Sequence, residues 1–160
     1  MATWSAPGKV FLFGEHAVVY GKMGIAMAIR PRVFVTVRDT KRPSRAKSPY
    51  IDSCFEQMGV IGSVYINSQI TVATLAAIND EFTLNKTREE IANMAFEIEK
   101  TVQKGRASPT DTTVSTYGGI VLITGGSRRR LPPQNMHLVI GDSQVSHSTS
   151  RMVEQVADLK

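Results

Sequence analysis

The 160-residue sequence predicts a single domain of the α+β or α/β class. Short apolar or alternating runs, which are typical of strands, stand mainly near the start, and longer amphipathic runs typical of helices follow them. The composition is 42% hydrophobic and 21% charged, which suffices for a buried core. Because strand and helix patterns are mixed along the chain, a helix bundle and a β-sandwich are both excluded.

Strand patterns dominate the first part of the chain. Residues 9–13 (KVFLF) are an apolar run, and residues 24–29 and 32–38 follow on either side of Pro31. Valine alternates with other residues in the last of these runs, as expected of a strand with one buried face. We therefore expect strands here, with Pro31 separating the last two, and a further strand over residues 63–69.

Helix patterns dominate the middle. Residues 48–58 begin with Ser-Pro, which suits an N-cap followed by the first helical position. Residues 70–78 are apolar almost all round, which predicts a helix buried on several sides. Thr87 and Glu90 have the spacing of a capping box and predict the start of an amphipathic helix. Its apolar face comprises Ile91, Met94, Ala95, Ile98 and Val102.

The last part of the chain mixes turns with short elements. Residues 105–109 end the capped helix, and residues 120–124 and 137–141 are short apolar runs that predict strands. A Gly-Gly pair precedes three arginines at 128–130, which we expect to form an exposed hairpin tip. The spacing of apolar residues over 149–159 predicts a final amphipathic helix.

Composition also limits the class of protein. Cys54 is the only cysteine, so an intrachain disulfide framework and a cysteine-rich zinc site are excluded. No signal peptide or apolar run of membrane-spanning length is present, and we expect a soluble, cytoplasmic protein. The net charge of +5 favours anionic partners, with phosphates first and nucleic acid second.

Three segments with acidic or basic residues could carry chemistry. Lys9 stands at the entrance of an apolar strand, and Glu15 and His16 stand at its exit, where a strand end can present polar groups to a pocket. A solvated lysine and an ordinary turn explain the same pattern. Asp111 lies among serines and threonines, so it either caps a turn or orients the proton of a substrate hydroxyl. Glu99 is either a solvated helix residue or a ligand for a divalent cation.

Two segments together resemble one family. Residues 6–21 (APGKVFLFGEHAVVYG) are similar to the first motif of the GHMP small-molecule kinases, in the form found in mevalonate kinases. Residues 108–119 (SPTDTTVSTYGG) resemble the segment of the same enzymes that bears an aspartate, in its archaeal form. The similarity extends over nearly the whole chain. It implies that residues 1–160 are an N-terminal domain of the ribosomal S5 domain 2 type, which a ferredoxin-like C-terminal domain follows in the family.

The resemblance also implies roles for individual residues. Lys9 would stabilise the reacting hydroxyl and phosphoryl oxygens, and Asp111 would accept or orient the hydroxyl proton. Glu15 and His16 would hold mevalonate, and Glu99 would bind the Mg²⁺ that accompanies ATP. Further residues implied to line the substrate pocket are Ser108, Thr112 and Ser115. A lysine and a metal ion supply positive charge where phosphoryl transfer needs it.

The sequence departs from the family at several points. A glycine- and serine-rich loop of the form P-x-G-x-G-L-G-S-S-A, which wraps the ATP phosphates, should stand between Gln69 and Ile70 but is absent. Either a segment is omitted at this junction, or the polypeptide lacks the loop and the second domain. A continuous backbone there, with Cα atoms about 3.8 Å apart, would exclude the omission. Lys104 is a one-residue insertion in the turn after Glu99, and residues 39–47 are shorter than the corresponding hairpin.

Several functions stay open at this level. The Glu15–His16 pair in its GEHAVVYG setting favours mevalonate as substrate, whereas a related kinase would act on phosphomevalonate or a sugar. The chain could also be an inactive nucleotide-binding paralogue or fragment, or a basic binding module. Without the phosphate loop we expect the 160 residues alone to be poorly active or inert. We expect no nucleic-acid or membrane partner, and the resemblance allows a homodimer.

Overall fold

Two long antiparallel strands form the framework of the domain. The computed structural model describes residues 1–41, 48–61, 64–66, 70–105, 107–125, 127–134 and 136–141. Strand β1 spans Ala2–Phe13 and strand β2 spans Gly24–Asp39. Strands β3 (Val64–Ile66), β4 (Ile120–Thr124) and β5 (Ser127–Leu131) complete the sheet. The order is β1-β2-β4-β5, and β3 pairs with the far end of β2, with every pairing antiparallel.

Strand β2 corrects the prediction that Pro31 divides two strands. The chain stays extended through Pro31, and β1 pairs with both parts of β2. Proline is tolerated because the register between the two strands shifts between Pro7 and Lys9, where Pro7 pairs with Arg32 and Lys9 with Ala28. At such an irregularity the ladder requires no N–H from the residue, so the missing proline donor is not costly.

In the described part of the chain, four α-helices pack on or behind the sheet. They are α1 (Pro49–Met58), α2 (Thr71–Glu81), α3 (Arg88–Val102) and α4 (Thr110–Tyr117). Helices α2 and α4 contact β1 and β2, while α1 and α3 pack against α2. The predicted capping box is confirmed: the Thr87 hydroxyl accepts from the Glu90 N–H, and the Glu90 carboxylate accepts from the Thr87 N–H. Ser48 occupies the N-cap of α1, but its side chain makes no capping hydrogen bond.

The core lies between the sheet and helices α1, α2 and α3. As predicted, α2 is buried on several sides, and all residues from Thr71 to Ile78 are buried. The predicted apolar face of α3 contributes Ile91, Ala95 and Ile98 to this core. A second, smaller cluster lies between α4 and the strands, and its buried members are Val18, Ala26, Val114, Val121 and Ile123.

Two further predictions need correction, and two others fall outside the described residues. The arginines 128–130 lie within strand β5, not at a hairpin tip, because β5 pairs with β4 residue by residue up to Thr124 and Ser127. Residues 137–141 form no strand, and no described strand pairs with them to satisfy their backbone groups. The junction of Gln69 with Ile70 and the helix predicted over 149–159 lie outside the described residues.

Candidate active site

An ion pair joins strand β1 to helix α4. The ammonium Nζ of Lys9 lies 3.0 Å from Oδ1 of Asp111 and 4.2 Å from the ring centroid of Phe11. The Lys9 side chain is 23% exposed, whereas that of Asp111 is 47% exposed. The lysine is therefore held from two sides, and the carboxylate keeps a face open to a ligand. Lys9 and Phe11 share a face of β1 because side chains alternate along a strand.

Asp111 lies in the first turn of α4, a helix where the sequence suggested only a polar turn. The N-cap position belongs to Pro109. The hydroxyl of Ser108 accepts the backbone N–H of Thr110 at 3.3 Å and donates to the Thr110 hydroxyl at 2.8 Å. Because Ser108 meets this N-terminal donor, the Asp111 carboxylate is not needed as a cap and pairs with Lys9 instead.

Glu99 brings a second carboxyl group close to the pair. The pKa of Glu99 is raised to about 7, by partial burial first and by the negative charge of Asp111 second, while the positive charge of Lys9 acts in the opposite direction. Glu99 also affects the buried thiol of Cys54. The pKa of that thiol is raised to about 12, by burial first and by the charge of Glu99 second. Glu99 therefore lies within electrostatic reach of both Lys9 and Asp111.

The start of helix α2 lies beside Cys54. The thiol Sγ of Cys54 approaches the backbone oxygen of Thr71, the first residue of α2, at 4.0 Å. Ile70 occupies the N-cap position, and its side chain offers no capping hydrogen bond. Cys54 thus contacts the helix that follows the Gln69–Ile70 junction and also responds to the charge of Glu99. The family's phosphate loop would enter the domain at this point.

Glu15 and His16 lie in the turn that follows β1. The amide N–H groups of Ala17 and Val18 donate to the Gly14 oxygen at 3.1 Å, which closes the turn. Glu15 is exposed and His16 is partly buried. Neither side chain makes a hydrogen bond or ion pair within the described part of the chain, so both are free to contact a ligand.

The three hydroxyl residues of α4 have different surroundings. Ser108 is occupied by the start of the helix, as described above. Thr112 is buried, and its hydroxyl donates to the Pro109 oxygen at 3.2 Å. Ser115 lines a separate cleft beside Trp4 and Tyr117. The structure therefore brings Lys9, Glu99 and Asp111 together but does not join Thr112 or Ser115 to them.

The donor set of this site fits Mg²⁺ if substrate phosphates complete it. Within the described ranges, no group of three or more His, Cys, Asp or Glu side chains could hold a metal ion. Mg²⁺ in kinase sites, however, is commonly bound by one or two carboxylates together with substrate phosphates. The partly buried carboxyl of Glu99 has a pKa raised to about 7, and within the described residues Lys9 is the cation that acts against this rise.

The sequence analysis missed two members of this site. The Phe11 ring could have been found from the two-residue period of β1, which places it beside Lys9. Cys54 had no such signal, because it lies on α1 and meets Glu99 only through the packing of α1 against α3.

Comparison with known proteins finds a family model that matches the middle of the chain. Residues 67–119, which contain α2, α3, α4 and the whole Asp111 segment, match the family described as GHMP kinases N terminal domain. Over these residues the chain is therefore similar to the N-terminal domain of the GHMP kinases, and its fold is similar to that of a solved mevalonate kinase of Methanococcus jannaschii.

Its curated relatives are mevalonate kinases. The enzyme of Archaeoglobus fulgidus is 35% identical over 184 aligned positions, which cover 98% of this chain and 63% of the relative. The chain thus spans less than two thirds of that protein's length. The aligned positions outnumber the 160 residues of the chain by 24, so the relative has residues without a counterpart here.

Solved structures share the fold across two substrate types. The L. major mevalonate kinase in complex with R-mevalonate has a TM-score of 0.70 at 24% identity, covering 99% of this chain and 61% of that one. A Streptococcus pneumoniae phosphomevalonate kinase in complex with phosphomevalonate and AMPPNP has a TM-score of 0.79 at 12% identity, covering 99% and 68%. Among the described helices, none is long and apolar enough to cross a membrane.

Proposed function

We propose that the chain is the N-terminal part of an ATP-dependent mevalonate kinase. The enzyme would transfer the γ-phosphoryl group of ATP to the primary hydroxyl of mevalonate and form 5-phosphomevalonate and ADP. The observation that carries this proposal is the Lys9–Asp111 ion pair at 3.0 Å with Glu99 beside it. The proposal includes a cytoplasmic location and allows a homodimer.

Asp111 would orient the attacking hydroxyl and receive its proton. Its carboxylate is half exposed and lies 3.0 Å from the Lys9 ammonium, so one side of it is open to a substrate hydroxyl. Lys9 would place its positive charge near the oxygens that become negative during transfer. The Phe11 ring and the Asp111 carboxylate limit the positions open to the Lys9 ammonium, so its charge is positioned before substrate binds.

Glu99 would hold Mg²⁺ together with the phosphates of ATP. When bound, the ion would supply positive charge to the β- and γ-phosphate oxygens. The same charge would keep the Glu99 carboxyl ionised near neutral pH, where burial and Asp111 otherwise favour its protonated form. Lys9 cannot supply this charge alone because its ammonium is in contact with Asp111.

Mevalonate would be held from the turn after β1. Glu15 and His16 have no other partner among the residues that the structure describes, and a carboxylate and an imidazole can bind the hydroxyl and carboxylate groups of mevalonate. Ser108 and Thr112 already bond within α4, and Ser115 faces another cleft. We therefore assign the larger share of substrate binding to Glu15 and His16, with the three hydroxyl residues as second contributors.

The choice of mevalonate rests on sequence similarity to relatives and not on the fold. A phosphomevalonate kinase shares this fold at 12% identity, whereas the curated mevalonate kinase of Archaeoglobus fulgidus is 35% identical. Fold alone does not select a substrate. The identity over nearly the whole chain supports mevalonate over phosphomevalonate or a sugar.

A chimera tests the proposal directly. The 160 residues are completed with the segments of the Archaeoglobus fulgidus enzyme that have no counterpart here, and ADP release is measured with mevalonate, phosphomevalonate and galactose. We expect saturable turnover with mevalonate alone, and no turnover from the 160 residues by themselves. The same chimera with Asp111→Asn controls for contaminating kinases.

Two results would contradict the proposal. A chimera that is folded by circular dichroism, yet inactive with all three substrates, would indicate an inactive paralogue. A chimera that prefers phosphomevalonate or galactose would assign the chain to another GHMP kinase. An intact-mass measurement of the natural polypeptide decides separately whether the segment at Gln69–Ile70 is omitted or truly absent.

A further inference from the structure

A second cleft, of about 300 Å³, opens between the first half of β1 and helices α2, α3 and α4. Neither Lys9 nor Glu99 nor Asp111 lines it, and Ser115 is the one lining residue that also appears in the proposed function. We propose that this cleft binds a small organic anion, with a phosphate or carboxylate group at one end and a short apolar body. This inference does not depend on the kinase reaction.

The rim of the cleft is positively charged. Arg32, Lys86 and Arg88 line it, and none of the described lining residues is acidic. Lys86 lies 3.5 Å from the Glu90 carboxylate, so its charge is partly compensated. Arg32 donates only to the neutral hydroxyl and backbone oxygen of Ser5, at 2.8 and 2.9 Å.

Arg88 has no hydrogen bond or ion pair within the described part of the chain. Within the described residues, the guanidinium groups of Arg32 and Arg88 thus have no carboxylate partner. A guanidinium binds phosphate or carboxylate through paired N–H groups, which makes an acid group the matching ligand for this rim.

The interior of the cleft is apolar. Its walls are formed by small and branched residues of α2 and α3 and by one indole ring: Val72, Ala73, Ala76, Ile91 and Trp4. The alanines leave space that larger side chains would fill. A concave site with apolar walls and a few polar groups at one side is typical of small-molecule binding. A ligand whose acid group binds at the rim would therefore place its apolar body inside the cleft.

Trp4 provides a local signal for binding. It is the only tryptophan among the 160 residues, its side chain is 44% exposed, and it lines the cleft. We would titrate the chain with hexyl phosphate and with hexanoate and follow tryptophan fluorescence. We expect a saturable change with at least one of them. Hexanol and inorganic phosphate should each bind at least tenfold more weakly, because hexanol lacks the acid group and inorganic phosphate lacks the apolar chain.

Substitutions locate the binding. Arg88→Gln should weaken binding about tenfold, while Arg129→Gln on β5 serves as the matched control and should bind like the wild type. Ala76→Phe should fill the cleft and abolish the signal. Because Arg88 is exposed, its variant should keep the wild-type melting temperature, so it gives a result even if Ala76→Phe does not fold.

Three results would overturn the proposal. The first is no saturable fluorescence change with either organic anion. The second is equal affinity in the Arg88→Gln and Arg129→Gln variants, which would mean that the rim does not bind the acid group. The third is displacement by R-mevalonate, which would assign the cleft to the substrate site and not to a separate one.

Discussion

The ammonium of Lys9 contacts both the Asp111 carboxylate, at 3.0 Å, and the ring of Phe11, at 4.2 Å from its centroid. Strand β1 supplies the lysine and the ring, and helix α4 supplies the carboxylate. A partly exposed pair of this kind contributes only about 0–1 kcal/mol to the free energy of unfolding. We therefore expect the ion pair to affect the catalytic rate more than the free energy of unfolding, and these two quantities can be measured separately.

Asp111→Asn tests the carboxylate as proton acceptor. In the chimera we expect kcat to fall by about two to four orders of magnitude, the usual contribution of a general base. The melting temperature should change little because the side chain is 47% exposed and caps no helix. Steady-state kinetics and thermal unfolding measure the two effects. A large loss of stability with kcat retained would show that Asp111 is a structural residue.

Phe11→Leu tests the ring as a positioning group for Lys9. A cation–π contact is worth about 0.5–2 kcal/mol, which corresponds to a decrease in kcat of about 2-fold to 30-fold. Phe11→Tyr keeps the aromatic face and should restore most of the rate. Phe13→Leu, two residues further along the strand and 71% exposed, is the matched control and should be neutral. Equal rates for Phe11→Leu and the wild type would refute the positioning role.

The raised pKa of Glu99 predicts that the free energy of unfolding depends on pH. Its pKa is about 7 in the folded protein against an ordinary value of 4.5, so the folded state binds more protons between these values. The free energy of unfolding should therefore fall as pH rises from about 4.5 to 7 and level off above. Glu99→Gln should be more stable than the wild type at pH 8 and similar at pH 5, as measured by urea unfolding.

The neighbouring Glu97 is the control for this measurement. It is exposed on the same helix, and Glu97→Gln should show the same pH dependence as the wild type. An unchanged difference between Glu99→Gln and the wild type at pH 5 and pH 8 would contradict the raised pKa.

Gly14→Ala tests the turn that carries Glu15 and His16. Gly14 has φ of +77°, and a Cβ there would collide with the backbone oxygen of Met23. Gly21 has a similar φ of +72° but open space around it, so Gly21→Ala isolates the cost of the left-handed backbone, about 1–2 kcal/mol. Gly14→Ala should be less stable than Gly21→Ala in urea unfolding, and in the chimera it should raise KM for mevalonate. Equal stability of the two variants would exclude the collision.

Local signals predicted the elements that local energetics determine. The capping box of Thr87 and Glu90 appeared in the structure as predicted, since its hydrogen bonds join residues three apart. Helix α1 likewise begins at Pro49 and ends at Met58, where Gly59 adopts a left-handed conformation. The helix in the Asp111 segment was harder to predict from the sequence, because serines and threonines favour turns and helix starts alike. Its helix, α4, is decided by packing against β1, β2 and β4.

The sequence by itself determined the class of domain, the boundaries of its capped helices and the resemblance to the GHMP kinases. Tertiary structure decided that Pro31 could stay within β2, that Ser108 and not Asp111 satisfies the start of α4, and that Arg88 lines a charged cleft. It also decided the pKa of Glu99, which depends on burial and on charges from β1 and α4. Hydrogen bonds between near neighbours leave a pattern in sequence, whereas burial and the approach of distant charges arise only when the chain has folded.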